Sequence, residues 1–194
     1  MEKLDVKNLW TLEHYSKVRS GFRKEIIEHK KNRRVALGDN ICLIFEDEKT
    51  IRYQVQEMLR IEKTFDQSGI EEELDAYNPL IPDGSNFKAT MMIEYPNEVE
   101  RKQKLRELKG IEDNVWVRVE GREKVFAIAD EDLNRENEEK TSAVHFLRFE
   151  LDEDMVKALK YGVSLAVGVD HSSYKVSLDP LSVDIKLSLV NDLG

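Results

Sequence analysis

Apolar residues along this chain follow two rhythms, one of period two and one close to four. In "RRVALGDNICLIFED" (33–47) two short apolar runs flank Gly38-Asp39-Asn40, which predicts a β-hairpin with Gly38 free to take positive φ. Ile41, Leu43 and Phe45 then point one way and Cys42 and Ile44 the other. With both faces apolar, this strand is expected to be covered on both sides. The rhythm changes at 48–63, where Ile51, Val55, Met58 and Leu59 predict a helix with one buried stripe.

The same reading extends over the chain. Asp5 is expected to cap a first helix running to about Lys17, and Ser20-Gly21 to interrupt it. Ser20 would cap a second helix with Phe22, Ile26 and His29 along one side. A helix at 70–77 ends at Asn78-Pro79, and "PLIPDGSN" reads as a loop. Strands are predicted at 87–95, 115–120, 124–129, 143–151, 163–169 and 174–178, with a charged helix at 97–109 and a polar segment at 130–140. Asp152 caps a helix at 153–161 that Gly162 ends, and a last helix follows Pro180. On strand 163–169, Ser164, Ala166 and Gly168 form a small-residue face open to close approach by a helix. The expected fold is α+β: a single domain over 1–194, with an N-terminal helical segment (5–32) leading into a largely antiparallel sheet on which helices pack.

Composition narrows the function. Charged residues make up 36% of the chain, against roughly 25% in an average globular protein, while 40% hydrophobic residues are enough for a core. A net charge of −9 argues against a general nucleic-acid or anionic-membrane binder. The local exception is 17–34, with eight Lys or Arg against two Glu, so binding of nucleic acid through Lys30, Lys31, Arg33 and Arg34 is kept as a minor alternative. No unbroken apolar run exceeds five residues, where a membrane span needs about 20. The start, Met1-Glu-Lys-Leu-Asp, carries no apolar leader. A cytoplasmic address is expected, and the single Cys42 fits it.

Missing motifs say more than those present. The sequence contains no G-x-G-x-x-G, no Walker-type loop and no G-x-S-x-G. The positions three before each histidine hold Thr11, Ile26, Ser142 and Gly168, so no Glu-x-x-His di-iron motif exists. One cysteine excludes a self-contained iron–sulfur cluster. No cofactor or metal is therefore expected, and the chain leans away from being an enzyme. The alternative is a metal-dependent enzyme or sensor built on His145, His171 and Glu57, although His145 alternates with Leu147 and Phe149 as a core residue would. Arg148, on the opposite face, suits an ion pair with a neighbouring strand.

The candidate binding surface starts in "YQVQEMLRIEK" (53–63). Tyr53, Gln56, Glu57 and Arg60 share one helix side, and Tyr and Arg are favoured at interface centres. Asp75, Tyr77, Asn78 and Asp83 could extend it, and the same groups could instead knit the helix to the "YNPLIPDG" loop.

The stretches "HKKNRRVALG", "YQVQEMLRIEK", "EELDAYNPLIPDG", "FKATMMIEYP" and "EKTSAVHFLRFEL" together resemble a bacterial family of unknown function, domain-of-unknown-function family 3501, over nearly the whole chain. Genes of that family often lie beside those for rubrerythrin and an iron–sulfur oxidoreductase. The resemblance thus implies an accessory, partner-binding role in a redox or oxidative-stress pathway, with one of those proteins as partner. It transfers no catalytic residue. The basic 17–34 and acidic 66–75 segments offer opposite charges for docking or homo-oligomerisation.

Overall fold

A computed structural model describes residues 2–132, 135 and 139–194, so part of the polar 130–140 segment lies outside the described residues. The first half runs α1 (Leu12–Lys31), β1 (Arg34–Leu37), β2 (Ile41–Phe45), α2 (Glu48–Glu62), α3 (Gln67–Tyr77), β3 (Asn86–Ile93) and α4 (Glu98–Glu107). The second half runs β4 (Val115–Val119), β5 (Lys124–Phe126), β6 (Ile128–Ala129), β7 (Val144–Glu150), α5 (Glu153–Lys160), β8 (Leu165–His171), β9 (Tyr174–Leu178) and α6 (Val183–Val190).

The fold is α+β and its strands pair antiparallel. They divide into two sheets, β1-β2-β3-β7-β6 and β5-β4-β8-β9. Alternation explains why the sheets face each other. Leu43, Phe45, Phe87, Met91, Leu147 and Phe149 of the first sheet share one buried cluster with Val115, Val117, Leu165 and Val167 of the second. The predicted strand 124–129 is two strands, because the chain changes sheet at Ala127. Its N–H bonds Val115 O at 2.8 Å, and three residues later the Asp130 N–H bonds Phe146 O at 2.9 Å. Asp130 takes a left-handed φ of 50° at that corner.

The N-terminal helices also differ from expectation. Asp5 caps only a short turn at Val6–Asn8, and α1 is one continuous helix capped by Thr11. Gly21 costs a helix about 1 kcal/mol relative to Ala. Burying Tyr15, Phe22 and Ile26 on one stripe contributes about 1.5–3 kcal/mol for each large apolar side chain, so packing overrides the break. α2 is capped by Asp47, whose side chain accepts the Thr50 N–H at 2.8 Å, and it lies against both α1 and α3. It also reaches the outer face of the first sheet. There Glu46 Oε1 accepts from Thr90 Oγ1 at 2.7 Å and from Gln54 Nε2 at 3.2 Å. No helix is long and apolar enough to cross a membrane among the described residues.

Candidate functional site

The polar side of α2 does not form one open face. Gln56 is fully buried, and its amide brackets Trp10, accepting the backbone N–H at 2.7 Å and donating to the carbonyl at 3.3 Å. Glu57 accepts from Arg19 Nε and Nη2 at 2.7 and 2.8 Å, from the Tyr15 hydroxyl at 2.6 Å and from Arg60 Nη2 at 3.2 Å. Tyr53 meets the Phe22 ring at 5.8 Å between centroids. These residues knit α2 to α1, not to the 77–84 loop. The helical stripe was legible, but not that a second helix would cover its polar side.

Arg19, above all, with Tyr15 and Arg60 holds the Glu57 carboxyl down to about 2, against the opposing effect of burial. A carboxyl depressed in the folded state stabilises fully above its ordinary value of 4.5 and loses that stabilisation as pH falls towards 2. Glu57→Gln is expected to cost about 1–2 kcal/mol at pH 7 after solvent screening, and almost nothing near pH 2. Urea denaturation at both pH values checks this. An equal cost at both would show that packing, not charge, is what the carboxylate supplies.

The remaining four predicted residues separate. Asp75 is exposed on α3. Asn78 pins the N-terminus, accepting the Leu4 N–H at 2.8 Å and donating to Leu4 O at 2.9 Å. Asp83 holds its own turn through the Ser85 N–H at 3.1 Å. Only Tyr77 lines a cleft, which has a volume of about 380 Å³ and lies between α2–α3 and the outer face of β3 and β7.

Met58, Tyr77, Pro79, Leu80 and Phe146 supply the apolar lining of this cleft, while Lys88, Arg148, Arg135, Glu131, Asp132 and Glu73 supply its charges. Strand alternation puts them there: Lys88 and Arg148 are register partners whose neighbours Phe87, Ala89, Leu147 and Phe149 face the core. Arg148 is engaged, with Glu131 in a two-point pair at 2.8 and 2.8 Å and with Glu150 at 2.5 Å. Arg135 stacks over Phe146 at 4.5 Å and pairs with Asp132 at 2.6 Å. Lys88 is different. It is half-buried, and its ammonium has no hydrogen-bond or ion-pair partner among the described residues. Burial, and then the neighbouring Arg148, lowers its pKa, opposed by the charges of Glu131, Asp83 and Glu150. The sequence signal for this site is slight: one lysine among 30 Lys and Arg, set between Phe87 and Ala89 on a strand that also carries the polar Asn86 and Thr90.

Behind the cleft wall, Arg135 Nη1 reaches Asp130 Oδ1 at 3.3 Å, and Asp130 Oδ2 lies 2.6 Å from Nδ1 of the fully buried His145. His145 Nε2 stands 2.8 Å from Thr141 Oγ1, 3.1 Å from Ser142 O and 3.7 Å from Glu112 Oε2. His171 is elsewhere, donating from Nε2 to Lys109 O at 3.1 Å and accepting the Ser173 N–H at Nδ1. Glu57 sits in the α1–α2 seam. The trio His145, His171 and Glu57 is therefore not one site; His145 gathers with Glu112 and Asp130 instead.

The basic stretch 17–34 is also dispersed. Lys17 pairs with Glu13, Arg19 with Glu57 and Lys31 with Glu28. Arg33, one of the four proposed nucleic-acid contacts, is 1% exposed and bound to Asp192, so it cannot reach an external ligand.

Residues 3–193 match the sequence model of a family described as "Protein of unknown function (DUF3501)". Among solved structures, the chain is similar to a novel protein of unknown function from Burkholderia pseudomallei K96243, with 52% identity, a TM-score of 0.95 and complete coverage of both chains. No curated protein matches it.

Proposed function

The chain belongs to the DUF3501 family, and from that premise we propose that it is a non-catalytic binding protein whose cleft between α2–α3 and β3/β7 receives an acidic, partly apolar segment of a partner protein. Lys88 is the observation that carries this reading. A half-buried ammonium with no ion-pair partner among the described residues is costly to keep, and a carboxylate from outside would relieve that cost while its stem covered Met58 and Phe146. No Ser, Cys or His lines the cleft, so among the described residues it offers no nucleophile of those kinds. The gene neighbourhood implied by the family resemblance supplies the setting, a redox or oxidative-stress pathway in the cytoplasm. It makes rubrerythrin or an iron–sulfur oxidoreductase the partner we favour.

The test is to purify the tagged protein from its own host and identify what accompanies it. A stoichiometric partner is expected with the native chain, at least tenfold less of it with Lys88→Glu, and a capture that weakens as salt rises. Lys88→Met is the folding control. It removes a half-buried unpaired charge, so its melting temperature is expected to equal or exceed that of the native protein. Equal capture by native, Lys88→Glu and Arg148→Glu proteins would sink the cleft as the docking site. A partner outside redox metabolism would overturn the pathway alone.

A further inference from the structure

Four atoms with lone pairs converge where β7 begins: Nε2 of His145, Oε2 of Glu112, Oγ1 of Thr141 and the carbonyl oxygen of Ser142. Thr141 Oγ1 lies 3.0 Å from Glu112 Oε2 and 2.8 Å from His145 Nε2, and Ser142 O lies 3.1 Å from the same nitrogen. The Glu112, Thr141 and His145 side chains come from three separate places, a short 3-10 turn at Glu112–Asn114, the segment before β7, and β7 itself. All three are buried, at 5%, 1% and 0% exposure.

Each of these groups meets another of the four. The Thr141 hydroxyl donates to Glu112 Oε2 and its oxygen faces His145 Nε2, which also faces the Ser142 carbonyl. On the far side Nδ1 lies 2.6 Å from the Asp130 carboxylate. Two carboxylates thus flank one buried imidazole, an arrangement that a bound cation would balance. Glu112, nearly out of contact with water, meets a basic group in His145 at 3.7 Å. A buried carboxylate so placed is stabilised by a cation at the centre.

We propose that His145 Nε2, Glu112 Oε2, Thr141 Oγ1 and the Ser142 carbonyl bind one divalent first-row transition-metal ion. Asp130 is the positioning residue, accepting from Nδ1–H and so presenting the Nε2 lone pair to the ion. The separations of 2.8–3.7 Å from Nε2 to the three oxygens, and of 3.0 Å from Thr141 Oγ1 to Glu112 Oε2, match those around an ion with bonds of about 2.0–2.2 Å. One imidazole with three oxygens suits Zn²⁺ or Fe²⁺ and makes Mg²⁺ and Ca²⁺ poor occupants. The centre lies on the other face of β7 from the Lys88 cleft, and Arg135, which lines that cleft, links the two through Asp130 at 3.3 Å.

Isothermal titration of the apo full-length chain with Zn²⁺ tests it. One equivalent is expected to bind. Glu112→Gln, which keeps shape and loses charge, is expected to weaken binding at least tenfold, and Asp130→Asn by about 10–100-fold with the stoichiometry kept. His145→Gln should abolish binding. Because it can also disturb the core, circular dichroism accompanies it and Thr141→Val is the milder second variant, expected to weaken Zn²⁺ without unfolding. No binding by the native chain, or binding unchanged in both Glu112→Gln and Thr141→Val, would overturn the site. Mg²⁺ is expected to give no heat above dilution, and tighter binding of Mg²⁺ than Zn²⁺ would overturn the assignment of the ion.

Discussion

Arg33→Met should lower unfolding stability by about 3–5 kcal/mol, the usual consequence of stranding a buried charge. Arg33 is 1% exposed, and every donor nitrogen on its guanidinium is used. Nη2 meets Asp192 Oδ2 at 2.5 Å and Nη1 meets Oδ1 at 3.2 Å, with Asp47 Oδ2 3.3 Å from Nη1. Nε and Nη2 donate to the carbonyls of Phe45 and Glu46 at 2.7 and 2.9 Å. One side chain thus joins the end of β2, the cap of α2 and the C-terminal end of α6. Burial pushes the Asp192 carboxyl up to about 6, against the pull of Arg33. Raised in the folded state, this group makes stability fall as pH rises from its ordinary 3.8 towards about 6, by a few kcal/mol in total. Without Arg33 the main restraint on that rise is gone and only His29 still opposes it, so the variant is expected to lose more at pH 8 than at pH 5. Urea melts at both pH values measure this. Adding Asp192→Leu to Arg33→Met should recover part of the loss, since an apolar pair can replace a buried ion pair. A loss under about 1 kcal/mol in the single variant would mean that solvent reaches the network.

Gly168→Ala is expected to cost about 2–3 kcal/mol, by overpacking. Gly168 is the cross-strand partner of Trp116, and the indole lies against it. A Cβ there would stand 2.7 Å from Trp116 Cε2 and 2.8 Å from the Val176 carbonyl oxygen, which as backbone cannot turn aside. The indole is held in turn by Lys124, whose Nζ is 4.1 Å from the ring centre. At Gly168 the small residue therefore makes room for a neighbouring strand's tryptophan. Gly21→Ala is the matched comparison. Gly21 is exposed in mid-helix, and an alanine methyl there would meet nothing within 4 Å, so the same change should gain about 0.5–1 kcal/mol. Denaturant melts of both variants read the two signs, and a neutral Gly168→Ala would show that Trp116 has room to move.

The elements themselves were largely legible. Gly38 takes its expected positive φ of 71° in the β1–β2 hairpin, Asp152 caps α5 through the Met155 N–H at 2.7 Å, and strand Ile41–Phe45 is covered on both sides, with only Ile44 partly exposed. Arg148 does pair with carboxylates, but with Glu131 just after β6 and Glu150 on its own strand, not with one on a neighbouring strand. The site was far less legible. Tyr77 reaches the cleft, but Lys88 carries it, and Gln56 and Glu57 turn inward.

By itself the sequence determined most of the apolar stripes that face inward, several caps and turns such as Asp152 and Gly38, and an α+β class with antiparallel pairing. These depend on side-chain periodicity and on backbone preferences acting over a few residues. Tertiary structure alone decided that the strands form two sheets, that α1 covers the polar side of α2, and that Glu112, Asp130, Thr141 and His145 meet. Those outcomes depend on contacts such as Arg33 with Asp192, 159 residues apart. Contacts at that distance leave no local rhythm, because each partner satisfies its own element's pattern equally well whichever group it finally meets.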